Sequence, residues 1–259
     1  MSLIDTHIHL DFPVFDDDRE AVVSRARSVG VSGFVVPSVA EAHWSRVQQT
    51  VSAVANSVAA YGLHPCYLDD HGEGVLDRLD QWLQSHPAVG VGECGLDYVR
   101  NPPESETRQL ALFDGQIQLA VQHGLPLIVH ARKAVDQVTQ RLRRGGATRG
   151  VVHSYSGSWQ QACKLIDLGF HLGIGGSISH DRAKRLRGIV ARLPDDAWVV
   201  ETDAPDQPAA PHRGERNEPA YLIETVDLMA QLRGVSTEQL RAHAQRNATA
   251  LFGPAVSRA

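Results

Sequence analysis

Cysteine is scarce in this chain of 259 residues: Cys66, Cys94 and Cys163 are far apart, odd in number and form no C-x-x-C pair. That excludes a disulfide framework and a paired-thiolate metal or redox motif. Long apolar runs are also missing, and no basic start leads into an apolar run with a cleavage site. Excess positive charge is absent. The formal net charge of −5 argues against a protein that coats nucleic acid through overall basicity, while leaving local basic patches open. A glycine-rich phosphate turn is lacking where the first strand ends, since His7-Ile8-His9-Leu10-Asp11 stands there, which disfavours an open dinucleotide-binding sheet. The expectation from these absences is a reduced, soluble, cytoplasmic protein, with 42% hydrophobic and 21% charged residues as in ordinary globular chains.

Short apolar runs alternate with amphipathic segments throughout. Strands are predicted at 3–9, 33–37, 58–63, 88–93, 126–130, 150–153, 171–174 and 198–201. Helices are predicted between them, the first opening on Asp16-Asp17-Asp18 and stopping near Gly30, a later one at about 104–123, and two closing the chain at 219–233 and 237–252. Repeated strand–helix units of this length predict a parallel sheet closed into a (β/α)8 TIM barrel, one domain over residues 1–259. The Pro-rich stretch 202–218 is expected to be a loop over the site.

The chemistry gathers at predicted strand ends. His7 and His9 end strand one, His64 strand three, Glu93 strand four, His130 strand five and His153 strand six, and Asp203 follows strand eight. C-terminal strand ends of a parallel barrel open on one rim, where active sites sit. Side-chain alternation puts Val89, Val91 and Glu93 on one face, as it does Ile128 with His130, Val151 with His153, and Val199 with Glu201 and Asp203. Four imidazoles and two carboxylates exceed one tetrahedral ion and suit two divalent ions bridged by Glu93. The expected division is His7, His9, Glu93 and Asp203 on one ion, and Glu93, His130 and His153 on the other. Mixed imidazole and carboxylate ligands suit Zn, Mn, Fe or Ni. The chemistry expected of such a site is hydrolysis by a metal-bridging hydroxide, with Asp203 moving the proton.

Six stretches carry a resemblance. They are Ile4-Asp5-Thr6-His7-Ile8-His9, Gly62-Leu63-His64-Pro65, Gly92-Glu93-Cys94-Gly95-Leu96-Asp97-Tyr98, Leu127-Ile128-Val129-His130-Ala131-Arg132, His153-Ser154-Tyr155-Ser156-Gly157 and Glu201-Thr202-Asp203-Ala204-Pro205. Through them the chain resembles the TatD family of metal-dependent hydrolases, within the amidohydrolase-like barrels. The resemblance implies a binuclear site with Glu93 as bridge, and for some members a Mg- or Mn-dependent nuclease that cuts DNA from the 3′ end or in single strands. Other relatives are linked to removing D-amino acids from tRNA.

Several residues carry two readings. His64 suits contact with a substrate phosphate or a capping role. Arg132 shares parity with His130 and is placed either to grip a phosphate or to pair with Glu201. Tyr155 either stacks on a base or packs in its loop. The basic run 182–187 either steers a polyanion or forms a solvated helix face. Cys94 is expected to face the helices. The substrate expected first is DNA or another phosphodiester. The rival is a small carbonyl substrate (an amide, a lactone or an aminoacyl ester), favoured by an apolar pocket, whereas a rim of Arg132, Arg182 and Lys184 favours phosphate. An idle metal-binding protein would lack ligands. No membrane association and no obligate protein partner are expected.

Overall fold

The computed structural model describes residues 2–100 and 105–257. Strand and helix alternate through it as β1 (Leu3–Asp5), α1 (Arg19–Ser28), β2 (Val31–Pro37), α2 (Glu41–Ala53), β3 (Ser57–Tyr61), α3 (Val75–Ser85), β4 (Gly90–Asp97) and α4 (Glu106–His123). The order continues with β5 (Leu127–Arg132), α5 (Val135–Gly145), β6 (Gly150–Val152), α6 (Trp159–Ile166), β7 (Phe170–Ile174), α7 (Lys184–Val190), β8 (Trp198–Val200), α8 (Leu222–Arg233) and α9 (Thr237–Phe252). The expected start of the fourth helix, at 104, lies outside the described residues. Local chemistry sets the boundaries. Ser158 with Gln161, and Ser236 with Gln239, form capping boxes at the starts of α6 and α9. Gly124, Gly146 and Gly234 take the left-handed conformation that ends α4, α5 and α8.

The eight strands pair in parallel in the order β1 to β8. Between the first and last strands the seam is drawn together by single bonds: Thr6 N donates to Val200 O at 3.1 Å, Asp203 N to His7 O at 2.9 Å and His9 N to Ala204 O at 2.8 Å. The result is a nearly closed barrel in one α/β domain. Ile4, Val35, Ala60, Ile128, Val151 and Val199 fill its interior, and Ala248, Leu251 and Phe252 of α9 join Val256 to plug one end. Gly33 makes room for that plug, since a Cβ there would stand 2.2 Å from Val256 O. The larger apolar cluster lies between the sheet and the helices and contains Cys94, as expected. Among the described residues no helix is long and apolar enough to cross a membrane.

Two sequence expectations fail. The first strand stops at Asp5, so His7 and His9 lie in the turn beyond it, positioned by the seam bonds and not by strand alternation. In β4 the alternation is broken: Val91 packs in the outer cluster with Cys94 and Leu96, and the register with β5 shifts between Val91 and Cys94. Gly92 sits in that bulge at φ 151°, where a Cβ would stand 2.5 Å from Ile128 O, so only glycine fits. The bulge, and not a shared parity with Val91, turns Glu93 inward.

The stretch 202–218 is tied down at its far end. Asn217 Nδ2 donates to Thr202 O at 2.9 Å and to Asp206 O at 2.7 Å. Arg216 binds both carboxylate oxygens of Asp18 at 2.9 and 2.6 Å and lies 4.8 Å above the Phe15 ring, while Glu218 takes two bonds of 2.8 Å from Arg25.

Candidate metal centre

Glu93 stands at the middle of the rim, 3% exposed, with each oxygen facing a different set of rings. Its Oε2 lies 3.2 Å from His7 Nε2 and 3.6 Å from His9 Nε2. Asp203 Oδ1 faces the same two nitrogens at 3.4 and 3.5 Å. The other oxygen, Oε1, lies 3.2 Å from His130 Nδ1 and 2.8 Å from His153 Nε2. All six residues expected as ligands therefore converge. Ligand atoms of His7, His9 and Glu93, of His7, His153 and Asp203, and of His64, Glu93 and His130 each lie within 4.8 Å of one another.

The donor set fits cations better than it fits itself. His7 is fully buried, yet neither of its ring nitrogens has a hydrogen-bond partner among the described residues. Lone pairs and carboxylate oxygens that point at a common space without hydrogen-bond alignment are what a bound divalent ion satisfies. Two further carboxylates support this geometry. Asp97 Oδ2 is 3.0 Å from His130 Nε2, which places the ring hydrogen there and turns the Nδ1 lone pair toward Glu93. Glu201 Oε1 lies 3.7 Å from His153 Nδ1 on the side away from Glu93. A carboxylate behind a ligating imidazole fixes tautomer and orientation.

His64 differs from the other rings. Its Nδ1 accepts from Cys66 N at 3.0 Å, capping the 3-10 turn Pro65–Asp70, so the neutral ring carries its hydrogen on Nε2. That atom is 3.2 Å from Glu93 Oε1 and acts as a donor toward it. The capping reading and a place at the site thus both hold for this residue.

Electrostatics follow from crowding. Burial by itself would raise the Glu93 carboxyl, but the imidazoles crowded around it, His64, His153 and His7 foremost, hold it well below its ordinary value. Asp203 is likewise held down, against burial, by its bond to His9 and the charges of His153, His7 and His9. Burial would lower the His9 ring, but Asp203 and Glu93 push it up to about 9, and His153 is raised by the same Glu93 charge together with Glu201. Without a cation, protons hold the carboxylates and rings together, so ion binding must release them.

The centre forms the floor of a cavity of about 560 Å³ lined by Phe12, Tyr67, Arg100, Arg132, Arg182, Asp206 and Gln207, among others. Arg132 and Arg182 are exposed and carry no ion pair among the described residues. The expected alternative, an Arg132–Glu201 pair, does not form, because Glu201 is buried and accepts from Ser154 N. Lys184 does not line the cavity. Tyr155 is buried, with its hydroxyl donating to Ser158 O at 2.6 Å, and so packs in its loop. Arg187, in the basic run, spends its guanidinium on the carbonyls of Ile178 and Ser179. Sequence reading gave no role to Asp97, Arg100, Asp206 or Gln207. Asp97 had a usable signal, since it shares parity with Glu93 on the last turn of the strand.

Comparison with known proteins identifies the family. A model of the family described as TatD related DNase matches residues 4–253. The metal-dependent hydrolase YjjV of Escherichia coli K12 is 38% identical over 252 residues, covering 96% of this chain and 97% of its own. A crystal structure of E. coli YjjV superposes with a TM-score of 0.93 at 37% identity, over 96% of this chain and 97% of that one. The 3′-5′ ssDNA/RNA exonuclease TatD of Pantoea ananatis is 29% identical over 260 residues, covering 97% and 99% of the two chains. With that match running from the first strand to the end of the last helix, the chain belongs to the TatD family of metal-dependent hydrolases.

Proposed function

We propose that the chain is a phosphodiesterase that removes nucleotides from the 3′ end of single-stranded DNA, using two divalent ions. The observation that carries this reading is the cavity: its floor is the carboxylate–imidazole centre, and its walls bear Arg100, Arg132 and Arg182. Guanidiniums that have no ion pair among the described residues, set over such a centre, suit an anion with several oxygens, since each can bind two of them at once. A carbonyl substrate needs no such ring of cations. The cavity has the size of a small-molecule site, so it takes the end of a flexible strand and not the flank of a duplex. The Pantoea relative named as a 3′-5′ ssDNA/RNA exonuclease supports both the class and the direction of attack.

In this reading His7, His9, Glu93 Oε2 and Asp203 Oδ1 hold one ion, and Glu93 Oε1, His130 Nδ1 and His153 Nε2 the other. Bound there, Zn, Mg or Mn would supply Lewis acidity and lower the pKa of water. Asp97 and Glu201 fix the rings of His130 and His153. Arg132, Arg182 and the Nε2–H of His64 orient the phosphate. Asp203 takes the proton of the attacking water on Oδ2, the oxygen turned away from His7 and His9, and returns it to the leaving 3′ oxygen of the neighbouring nucleotide.

The test is hydrolysis of a 3′-labelled single-stranded oligodeoxynucleotide by metal-free protein refilled with Mg, Mn or Zn in turn. A Glu93→Gln, Asp203→Asn double variant controls for contaminating nuclease. Release of labelled mononucleotide by the wild type alone is expected. No release with any ion, in protein shown by elemental analysis to be loaded, would overturn the substrate while leaving the metal centre standing.

A further inference from the structure

Asp203 has two oxygens and the proposed function gives each a separate duty, so something must stop the carboxylate from rotating. Oδ1 faces His7 and His9. Oδ2 accepts a hydrogen bond from Gln207 Nε2. The same amide is held from its other side, because Gln207 Oε1 accepts from Ser154 Oγ at 2.7 Å. This chain of bonds fixes which end of the amide is which: flipped, Oε1 would face the Asp203 carboxylate, acceptor against acceptor. Ser154 in turn adjoins His153, and its backbone N–H donates to Glu201, the carboxylate behind that ring. Two loops, after β6 and after β8, are thereby coupled through one side chain.

The backbone marks the same three residues. Among the described residues, the non-glycine positions with positive φ are Asn56, Lys133, Ser154 at 46°, Asp203 at 59° and Gln207 at 52°. Three of these five form the hydrogen-bonded chain. Left-handed backbone at residues with a Cβ costs free energy and persists where the surroundings over-determine it. Gln207 is exposed at the cavity mouth, so burial does not explain its conformation. Its two side-chain bonds do.

We propose that Gln207 is a positioning residue, which with Ser154 locks Asp203 into single-oxygen ligation and holds Oδ2 ready for the proton. The inference rests on the metal-centre reading above. It does not require that the substrate be DNA.

Gln207→Leu removes the donor and Gln207→Glu replaces it with an acceptor. Both changes are at an exposed side chain, so the metal-free fold, read by circular dichroism, should match the wild type, with at most a small fall in melting temperature from the lost bonds. Affinity for Mn or Zn is read by competition with a chromophoric chelator, which needs no substrate. At the His7–His9–Asp203 locus it should fall roughly tenfold in Gln207→Leu, the lower end of what lost support of a metal ligand costs, and further in Gln207→Glu. The other locus should keep its affinity. On the labelled oligonucleotide, kcat should fall with KM unchanged. Ser154→Ala should weaken binding in the wild type and add nothing in Gln207→Leu, since its effect passes through the amide. Wild-type affinity and kcat in Gln207→Leu would overturn the proposal, as would Ser154→Ala effects that multiply independently. A wild type that binds no divalent ion would overturn both this and the metal centre.

Discussion

Glu93→Gln is the most informative single change, because one carboxylate serves both sets of rings: Oε2 at 3.2 and 3.6 Å from His7 and His9, Oε1 at 3.2 and 2.8 Å from His130 and His153. Glutamine keeps the volume and removes the charge. Two unit charges about 4 Å apart interact by about 4 kcal/mol at an effective dielectric near 20, and a dication doubles this to about 8. The amide oxygen still ligates, and rings freed from Glu93 shed protons that would otherwise compete. If these offsets recover half, the loss is about 4 kcal/mol, close to three decades in affinity. It must strike both ions together. Asp203→Asn, by contrast, should weaken only the ion beside His7 and His9, and His130→Ala only the other. Metal-free variants are dialysed into chelator-buffered Mn or Zn, the bound ions counted by elemental analysis, and the fold checked by circular dichroism. A Glu93→Gln protein that keeps either ion at wild-type affinity would refute the shared carboxylate.

Gly33→Ala places a Cβ 2.2 Å from Val256 O and should cost about 1–3 kcal/mol through overpacking of the barrel plug; an unshifted urea midpoint would show that the plug yields freely. Burial would raise the Glu218 carboxyl, but bonds from Arg25 and Arg216 hold it below its ordinary value. The stability from these bonds is therefore present above the unfolded carboxylate pKa of about 4.3 and lost as pH falls through the lower folded value. Arg216→Ala should destabilise by roughly 1 kcal/mol at neutral pH, with the gap to wild type closing in melts below about pH 4; a gap constant with pH would refute the assignment. Burial and the charge of Asp97 push the Cys66 thiol up to about 12. Although it lines the cavity, it should alkylate with iodoacetamide far more slowly at pH 8 than a free cysteine, and equal rates would contradict that environment.

Much of the barrel was legible because its strands are short apolar runs with punctuated ends, and the residues that converge on the rim were legible because they follow those runs. What escaped depends on partners distant in sequence. His7 and His9 share a direction through bonds to Val200, Asp203 and Ala204, which no local pattern around residue 7 contains. Glu93 turns inward through a bulge that alternation cannot express, although Gly92 hints at it. The work of Glu201 and Gln207 is visible only when β6 stands beside them, and Tyr155 packs under its loop through a bond to the carbonyl of Ser158. The plug of α9 and Val256 gives the last helix a task inside the barrel that its amphipathic pattern does not announce.

The seam where the first and last strands meet also runs through the metal centre. Thr202 N donates to Asp5 across 197 residues of chain, and Asp203 N to His7 O beside it. During synthesis, therefore, His7 and His9 emerge from the ribosome first and wait for their carboxylate until β8 has followed. A growing chain short of that strand holds the centre without Asp203 and has an open sheet edge. A complete set of candidate ligands is thus withheld until the barrel can close, so unfinished or truncated copies should take up metal poorly.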